Sequence, residues 1–195
     1  ANPRSVMELA LCGMLLGSRD IIAGVNWVQS IKGSAEIGRL VEKGKSQFAG
    51  HEIYGKKLGI IGLGAIGGPL ANRARKLGMD VCGFDPHISV EAAWHLDRHV
   101  QRVKTRDEIY STCDVITLHV PLLEDTKKMI NAEAISQMKN LRIAGAFTHF
   151  ARADEPDGEI ATAQFDRYLA LISTLEEMGI PIPFKHVSNS PAIVL

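Results

Sequence analysis

Apolar and polar positions alternate along the chain in blocks that predict strands and helices in turn. A short apolar run over 58–62 ends in a glycine, and a helical pattern over 65–77 follows it. A second strand is predicted over 80–85, and a buried strand over 114–120 stops at Pro121. This order of elements is typical of a parallel sheet whose crossovers are right-handed and whose helices cover both faces.

Weaker patterns fill the remaining segments and extend the same alternation to the end of the chain. The other predicted elements are, in chain order, a long helix over 4–31, a polar connector over 34–51, a helix over 89–96, a strand over 100–103, helices over 106–113 and 132–138, a strand over 143–150, a helix over 162–178 and a strand over 185–188. We therefore predict a single α/β domain over 1–195, with a doubly wound parallel sheet and a long N-terminal helix.

Composition and charge narrow the range of partners. The chain has 195 residues, which suits one domain, and its 22 basic residues balance 22 acidic ones, so nothing favours nucleic acid. The apolar stretch over 6–28 is interrupted by charges and falls short of the roughly 20 apolar residues that a membrane span needs. The start of the chain does not have the pattern of a signal peptide.

Two residue types remain as candidates for metal or redox chemistry. The three cysteines are scattered without a CxxC pair, which favours a reduced, cytoplasmic protein. His95 and His99 are spaced to share a helix face, but no third ligand lies near them in sequence. We predict no metal site.

One glycine pattern carries a specific chemistry. The segment from Gly62 to Gly67 reads G-L-G-A-I-G, follows an apolar strand and opens a helix, which is the context of a dinucleotide-binding turn. Gly62 permits the tight turn, Gly64 lets a pyrophosphate approach the backbone, and Gly67 lets the helix pack against the strand. Ala65 and Ile66 supply amides at the helix N-terminus, where a phosphate is stabilised. The pattern predicts a Rossmann-like fold.

The acidic residue that completes this pattern is Asp85, which ends the second predicted strand and precedes Pro86. A carboxylate at this place accepts hydrogen bonds from ribose hydroxyls and repels a 2′-phosphate. The cofactor is therefore predicted to be NAD rather than NADP, although Arg73 and Arg75 leave that preference open. The alternative is that the glycines only shape a strand-to-helix turn.

Several segments of residues 1–140 resemble the cofactor domain of the D-2-hydroxyacid dehydrogenases, and most closely their D-3-phosphoglycerate dehydrogenase members. The segments that carry the resemblance are Asn2–Glu8, Tyr54–Gly62, Phe84–Pro86, Leu118–Leu122 with Thr126, Met129–Asn131 and Met138–Asn140. The resemblance implies a cofactor site that includes His119, Val120, Pro121 and Thr126. It also implies a homodimer formed through the N-terminal helix, which would otherwise expose an apolar patch of Leu11, Met14 and Ile21.

The resemblance changes at about residue 141. From Ala144 to Glu155, and on through Gln164 and Phe165 to Asn189–Ala192, the chain resembles alanine racemase, a pyridoxal-phosphate barrel enzyme. This resemblance implies that three residues would lie near pyridoxal phosphate: His149, Asn189 and Ser190. We interpret the chain as a chimera, engineered or natural, in which a racemase strand–helix–strand unit over 141–195 completes the Rossmann-like sheet.

The catalytic residues of the dehydrogenase family are not all matched. That family uses an arginine, a histidine and a glutamate for hydride transfer, and the last two lie beyond the matching segments. Arg152 is the one candidate for a catalytic position, as the arginine that holds the substrate carboxylate. We expect a dinucleotide-binding domain that is inactive. The alternatives are a residual oxidoreductase that uses Arg152 or His149, and a structural chimera that no longer binds cofactor.

Overall fold

The computed structural model describes residues 2–141, 143, 145–148 and 159–187. The chain divides into two compact units, residues 1–129 and residues 130–195, and each is described by itself. None of the described helices is long and apolar enough to cross a membrane.

The first unit is built around a four-stranded parallel sheet. Its elements are α1 (Pro3–Ser18), α2 (Ile21–Ser30), α3 (Ile37–Gly44), a 3-10 turn (Lys45–Phe48), β1 (Lys57–Ile61), α4 (Gly67–Lys76), β2 (Asp80–Phe84), α5 (Val90–Trp94), β3 (Gln101–Arg102), α6 (Arg106–Thr112) and β4 (Val115–Leu118). The strand order is β3-β2-β1-β4, with every pair parallel. The chain order reverses between β1 and β4, which is the switch point where α/β sheets bind ligands. The predicted α/β class with a parallel sheet is confirmed.

The core of this unit lies between the sheet and the helices α1 and α4. Its fully buried members include Leu58 and Ile60 of β1, Leu70 of α4 and Met7 of α1. Successive strand residues face opposite sides of a sheet, so Gly59 faces away from this cluster. A Cβ atom at Gly59 would lie 2.8 Å from the sulfur of Cys113, because the α6 end of the chain packs closely there. The sheet is therefore covered on both faces, as a doubly wound sheet requires.

The prediction of one long helix over 4–31 is wrong. The helix ends at Ser18 and restarts at Ile21, because Asp20 adopts a left-handed conformation with φ of 51°. The amide of His51 donates a 2.6 Å hydrogen bond to the carbonyl of Ser18, which terminates α1 from a distant segment. The segment over 34–51, predicted as a polar connector, contains α3 and the 3-10 turn.

The exposed apolar surface of these helices also differs from the prediction. Leu11 and Met14 are partly buried against the core rather than exposed. Of the three residues predicted in the patch, Ile21 is exposed. The exposed apolar residues of α1 and α2, which we call the N-terminal patch, are Leu9, Leu15, Ile21, Ile22, Val25 and Val28.

The second unit contains one strand–helix–strand motif. Its elements are α7 (Ala132–Gln137), β5 (Gly145–Phe147), α8 (Glu159–Glu177) and β6 (Phe184–His186). The strands β5 and β6 pair in parallel as a two-stranded sheet of their own, so the described residues do not form the single continuous sheet that was expected. Tyr168, Ile172 and Leu175 of α8 are buried with Ile182, and the Tyr168 hydroxyl donates to the carbonyl of Ala146. That the chain is one domain stays a prediction.

Candidate functional site: a cleft at the carboxyl end of the four-stranded sheet

The glycine turn after β1 is shaped by close backbone contacts. Gly62 has φ of 92°, which favours glycine, and a Cβ atom there would lie 2.5 Å from the carbonyl oxygen of His119. A Cβ atom at Gly67 would overlap the carbonyl oxygen of Gly62. These two glycines therefore hold β1, the turn and α4 at a distance that no side chain permits.

Gly64 stands apart from the other two glycines because its Cβ direction is open. No protein atom lies within 4 Å of a Cβ atom built at Gly64. The N-terminus of α4 follows, with Ile66 at the N-cap, whose side chain has no atom that can accept from the first helical amides. The turn thus offers free space beside amides and the positive end of a helix dipole, which is the arrangement that binds a phosphate.

Asp85 lies directly after β2 and links the turn to the adjacent loop. Its Oδ2 atom accepts a 2.9 Å hydrogen bond from the amide of Leu63, and its Oδ1 atom accepts one of 2.9 Å from the amide of His87. Each carboxylate oxygen has a second lone pair that remains able to accept a ribose hydroxyl. Asp85 therefore orients the glycine turn in addition to its predicted contact with ribose.

The opposite wall of the cleft is the segment that follows β4. The Thr126 hydroxyl donates a 2.6 Å hydrogen bond to the carbonyl of Pro121 and accepts one of 2.7 Å from the amide of Leu123, which closes a tight loop. His119 is half-buried, its Nε2 atom lies 3.0 Å from the Thr117 hydroxyl, and burial lowers its pKa. The imidazole is therefore neutral at neutral pH, so it can form hydrogen bonds at the wall of the cleft without adding charge.

Together these segments enclose a cleft of about 450 Å³, which is large enough for part of a dinucleotide. The predicted site residues that line it are Gly62, Gly64, Asp85, Pro86, His119, Val120, Pro121 and Thr126. Of the other three, Ala65 borders a neighbouring cavity next to α5, Ile66 packs against the core and Gly67 is buried. Arg152, His149, Asn189 and Ser190 lie outside the described residues.

Sequence reasoning missed three polar residues on the rim of the cleft. Arg106, the first residue of α6, donates from Nη1 to the carbonyl of Asp125 over 3.3 Å. The Nε2 atom of His87 lies 4.0 Å from the carboxylate of Asp125. These contacts join the loop after β2 to the loop after β4. The exposed contact between His87 and Asp125 contributes little stability, and Arg106 adds a guanidinium to the lining of the cleft.

The histidines considered as metal ligands have other partners. The Nδ1 atom of His95 lies 2.7 Å from the carbonyl of Glu91, and Nδ1 of His99 lies 3.0 Å from the carboxylate of Asp97. That carboxylate has a lowered pKa, chiefly because it accepts from the backbone amide of His99. Within the described ranges, no group of three potential ligands could hold a metal ion.

Comparison with protein families identifies the fold that holds this cleft. Residues 12–155 match the profile described as the D-isomer specific 2-hydroxyacid dehydrogenase, NAD binding domain. The chain belongs to this family. NAD is therefore the cofactor of this NAD-binding domain, and the predicted resemblance is confirmed at the level of the family.

The curated proteins that are similar to this NAD-binding domain include D-3-phosphoglycerate dehydrogenases. The protein from Haemophilus influenzae is 40% identical over 139 residues, which are 71% of this chain and 30% of the relative. The Homo sapiens protein is 41% identical over 138 residues, which are 71% of this chain and 24% of the relative. The chain thus spans less than a third of the length of these curated relatives.

Solved structures of the same family share the fold. D-lactate dehydrogenase from Salmonella matches with a TM-score of 0.57 and 28% identity, covering 76% of this chain and 40% of that one. D-lactate dehydrogenase from Aquifex aeolicus, solved with NAD and lactic acid, matches with a TM-score of 0.57 and 28% identity over 76% of this chain and 39% of that one. The predicted Rossmann-like fold is confirmed.

A second profile matches the later part of the NAD-binding domain and the residues after it. Residues 122–195 match the alanine racemase N-terminal domain, so the two matches overlap over 122–155. This supports the predicted resemblance to alanine racemase, with a boundary that is less sharp than residue 141.

Proposed function

We propose that this chain binds NAD(H) in the cleft between Asp85 and the loop after β4, and that on its own it does not complete hydride transfer. The observation that carries the proposal is the open space at Gly64 beside the α4 N-terminus, with Asp85 one strand away. When bound, the nicotinamide of NAD supplies the hydride donor or acceptor. The described residues bind and orient the dinucleotide.

The same geometry supports a preference for NAD over NADP. Asp85 is fixed by two backbone amides, so its carboxylate cannot turn away from a ligand without losing both hydrogen bonds. A 2′-phosphate placed beside it would meet a like charge. Arg106 lines the same cleft and could attract such a phosphate, but its guanidinium donates a hydrogen bond to the carbonyl of Asp125.

We also propose that the chain has no turnover and that it is composed of parts of two protein families. Beyond residue 155 the dehydrogenase profile no longer matches, while the racemase profile continues to residue 195. The divided pattern supports a chimera in which the histidine and glutamate of the dehydrogenases have no counterpart over 156–195. A cytoplasmic location is part of the same proposal, supported by three cysteines that are free thiols.

Calorimetric titration with NADH and NADPH tests the proposed function. We expect saturable NADH binding and NADPH binding at least about tenfold weaker, a difference of about 1.4 kcal/mol. Asp85→Ser should narrow that difference because the repelling carboxylate is gone. Asp80→Ser is the matched control, since Asp80 begins the same strand at the end away from the cleft and pairs with Arg75.

A parallel assay with NAD and D-3-phosphoglycerate or D-lactate should produce no NADH. Turnover that is lost in Arg152→Ala would instead establish a residual oxidoreductase. If the protein unfolds cooperatively but shows no NADH binding in the calorimeter, it is a structural chimera that does not bind the cofactor.

We further propose that the chain forms a homodimer through the N-terminal patch. Ile22 and Val25 lie on α2 and expose 56% and 53% of their surface, and Val25 lines one open groove together with Ile21 and Val28. Apolar patches of this kind mark interaction sites. A second copy of the chain would cover such a surface with a like surface, as a two-fold interface requires.

Sedimentation at micromolar concentration is expected to show a dimer that Ile22→Glu/Val25→Glu converts to a monomer. Val90→Glu is the control, because Val90 is equally apolar and 75% exposed but lies on α5, away from the patch in sequence. A wild-type monomer, or a dimer that persists in the double variant, would contradict the proposal.

A further inference from the structure

Two cysteines meet in the interior of the first unit. Cys82 of β2 and Cys113, directly after α6, place their sulfur atoms 3.4 Å apart, and both side chains are fully buried. Cys82 is paired in register with Gly59 of β1. Because Gly59 has no side chain, the sulfur of Cys113 occupies the space that a Cβ atom would need and reaches Cys82. The contact is therefore a product of the sheet register.

The surroundings make the two thiols unequal. Contact with the Cys82 thiol lowers the pKa of Cys113 to about 7 against the opposing effect of burial, and the charge of Lys57 acts in the same direction. Contact with Cys113 and burial raise the pKa of Cys82. Lys57 also donates a 3.0 Å hydrogen bond to the Thr112 hydroxyl, whose own proton goes to the carbonyl of Glu108 over 2.6 Å, so the hydroxyl lies 3.9 Å from the Cys113 sulfur without donating to it. In the closed form Cys113 is thus the more acidic of the two thiols.

We propose that Cys82 and Cys113 form a reversible disulfide when the protein is exposed to hydrogen peroxide. The Cys113 thiol loses its proton to solvent and the thiolate attacks one peroxide oxygen, so that an S–O bond forms, the O–O bond breaks, and the hydroxide that leaves takes up a proton from solvent to become water. The Cys82 sulfur then attacks the Cys113 sulfenic sulfur, the S–S bond forms, and the hydroxyl departs with the Cys82 proton as water. Two thiols are oxidised by two electrons, and the peroxide is reduced to two water molecules.

The geometry permits this bond with a small displacement. A disulfide needs sulfur atoms about 2.0 Å apart, so the two atoms must approach by roughly 1.4 Å. The bond closes a loop over 82–113, which contains α5, β3 and α6 and carries Asp85 and Arg106 of the cofactor cleft. A cross-link of this kind restricts the unfolded chain, so the oxidised protein unfolds at a higher temperature than the reduced protein.

Burial couples this chemistry to the cofactor, a step that rests on the proposed function. Peroxide reaches these fully buried sulfur atoms only through a local opening beside α6 that admits it while the two sulfur atoms stay in contact. A dinucleotide bound against Asp85 and Arg106 stabilises the closed form. If the open form has no affinity, NADH at ten times its dissociation constant slows oxidation about tenfold. The rate at which Cys82 and Cys113 are oxidised then depends on whether NADH occupies the cleft.

The experiment uses Cys12→Ser protein, because Cys12 is exposed and is the third cysteine of the chain. The protein is exposed to hydrogen peroxide with and without NADH, alkylated, digested without reductant and analysed by mass spectrometry. We expect a linked Cys82–Cys113 peptide that has lost two hydrogen atoms and is restored by dithiothreitol. We also expect a higher unfolding temperature for the oxidised protein and protection by NADH.

Single substitutions in that background distinguish the two roles. Cys82→Ser should stop at a sulfenic acid on Cys113 that dimedone traps, whereas Cys113→Ser should leave Cys82 unreacted. The proposal is overturned if both thiols remain alkylatable at a peroxide dose that oxidises Cys12 in the wild-type protein, or if the sulfenic acid forms on Cys82. A disulfide that forms equally fast with calorimetrically saturating NADH would overturn the coupling, and failure of NADH to bind in the calorimeter would be seen separately.

Discussion

Gly64→Val is expected to weaken NADH binding by about 100-fold, or about 3 kcal/mol, without destabilising the fold. The reason is the open space at Gly64, where no protein atom lies within 4 Å of a Cβ atom. A valine side chain would fill the volume that the pyrophosphate needs beside the α4 N-terminus. Calorimetric titration measures the affinity, and urea denaturation measures the free energy of unfolding.

Gly55→Val controls for the general effect of adding a β-branched side chain to a loop. Gly55 also has no protein atom near its Cβ direction, although its φ of 71° adds strain that Gly64 does not have. We therefore expect Gly55→Val to lower the free energy of unfolding by about 1–2 kcal/mol and to leave NADH affinity unchanged. NADH binding by Gly64→Val with wild-type affinity would show that the pyrophosphate does not pass this glycine.

The cofactor turn was predictable because each of its parts depends on short-range pattern. Gly62 and Gly67 follow an apolar strand and precede a helix, so their backbone roles can be read from neighbouring residues. Asp85 was identified from its place at the end of the next strand. Its second role, as the acceptor for the amide of Leu63, depends on the parallel pairing of β1 and β2 and could not be read from the pattern.

The features that were missed depend on contacts between distant segments. Arg106 and His87 meet Asp125 only because three loops converge at one edge of the sheet, and no motif marks them. The end of α1 depends on a hydrogen bond from His51 to Ser18, more than thirty residues back along the chain. Apolar periodicity continues through Asp20, so the sequence pattern alone predicts an unbroken helix.

Gly67→Ala is expected to destabilise the first unit by about 3 kcal/mol, near the upper end of the range for overpacked interiors. A methyl group at this position would overlap the carbonyl oxygen of Gly62 and lie 3.1 Å from a methyl carbon of Ile60. Neither neighbour can move easily. The amide of Gly62 donates a hydrogen bond to the carbonyl of Phe84, and Ile60 is fully buried in β1. The helix α4 must therefore shift away from the strand.

The measurement is thermal and urea-induced unfolding followed by far-ultraviolet circular dichroism, with a fall in unfolding temperature of roughly 10 °C for that loss of stability. Gly64→Ala is the matched control, since it adds the same methyl group three residues earlier where space is open, and it should change stability by less than about 0.5 kcal/mol. The contrast separates two functions within one six-residue turn: Gly67 sets the distance between helix and strand, and Gly64 leaves room for the ligand. Equal stability of the two alanine variants would mean that α4 does not pack on β1 as closely as the structure describes.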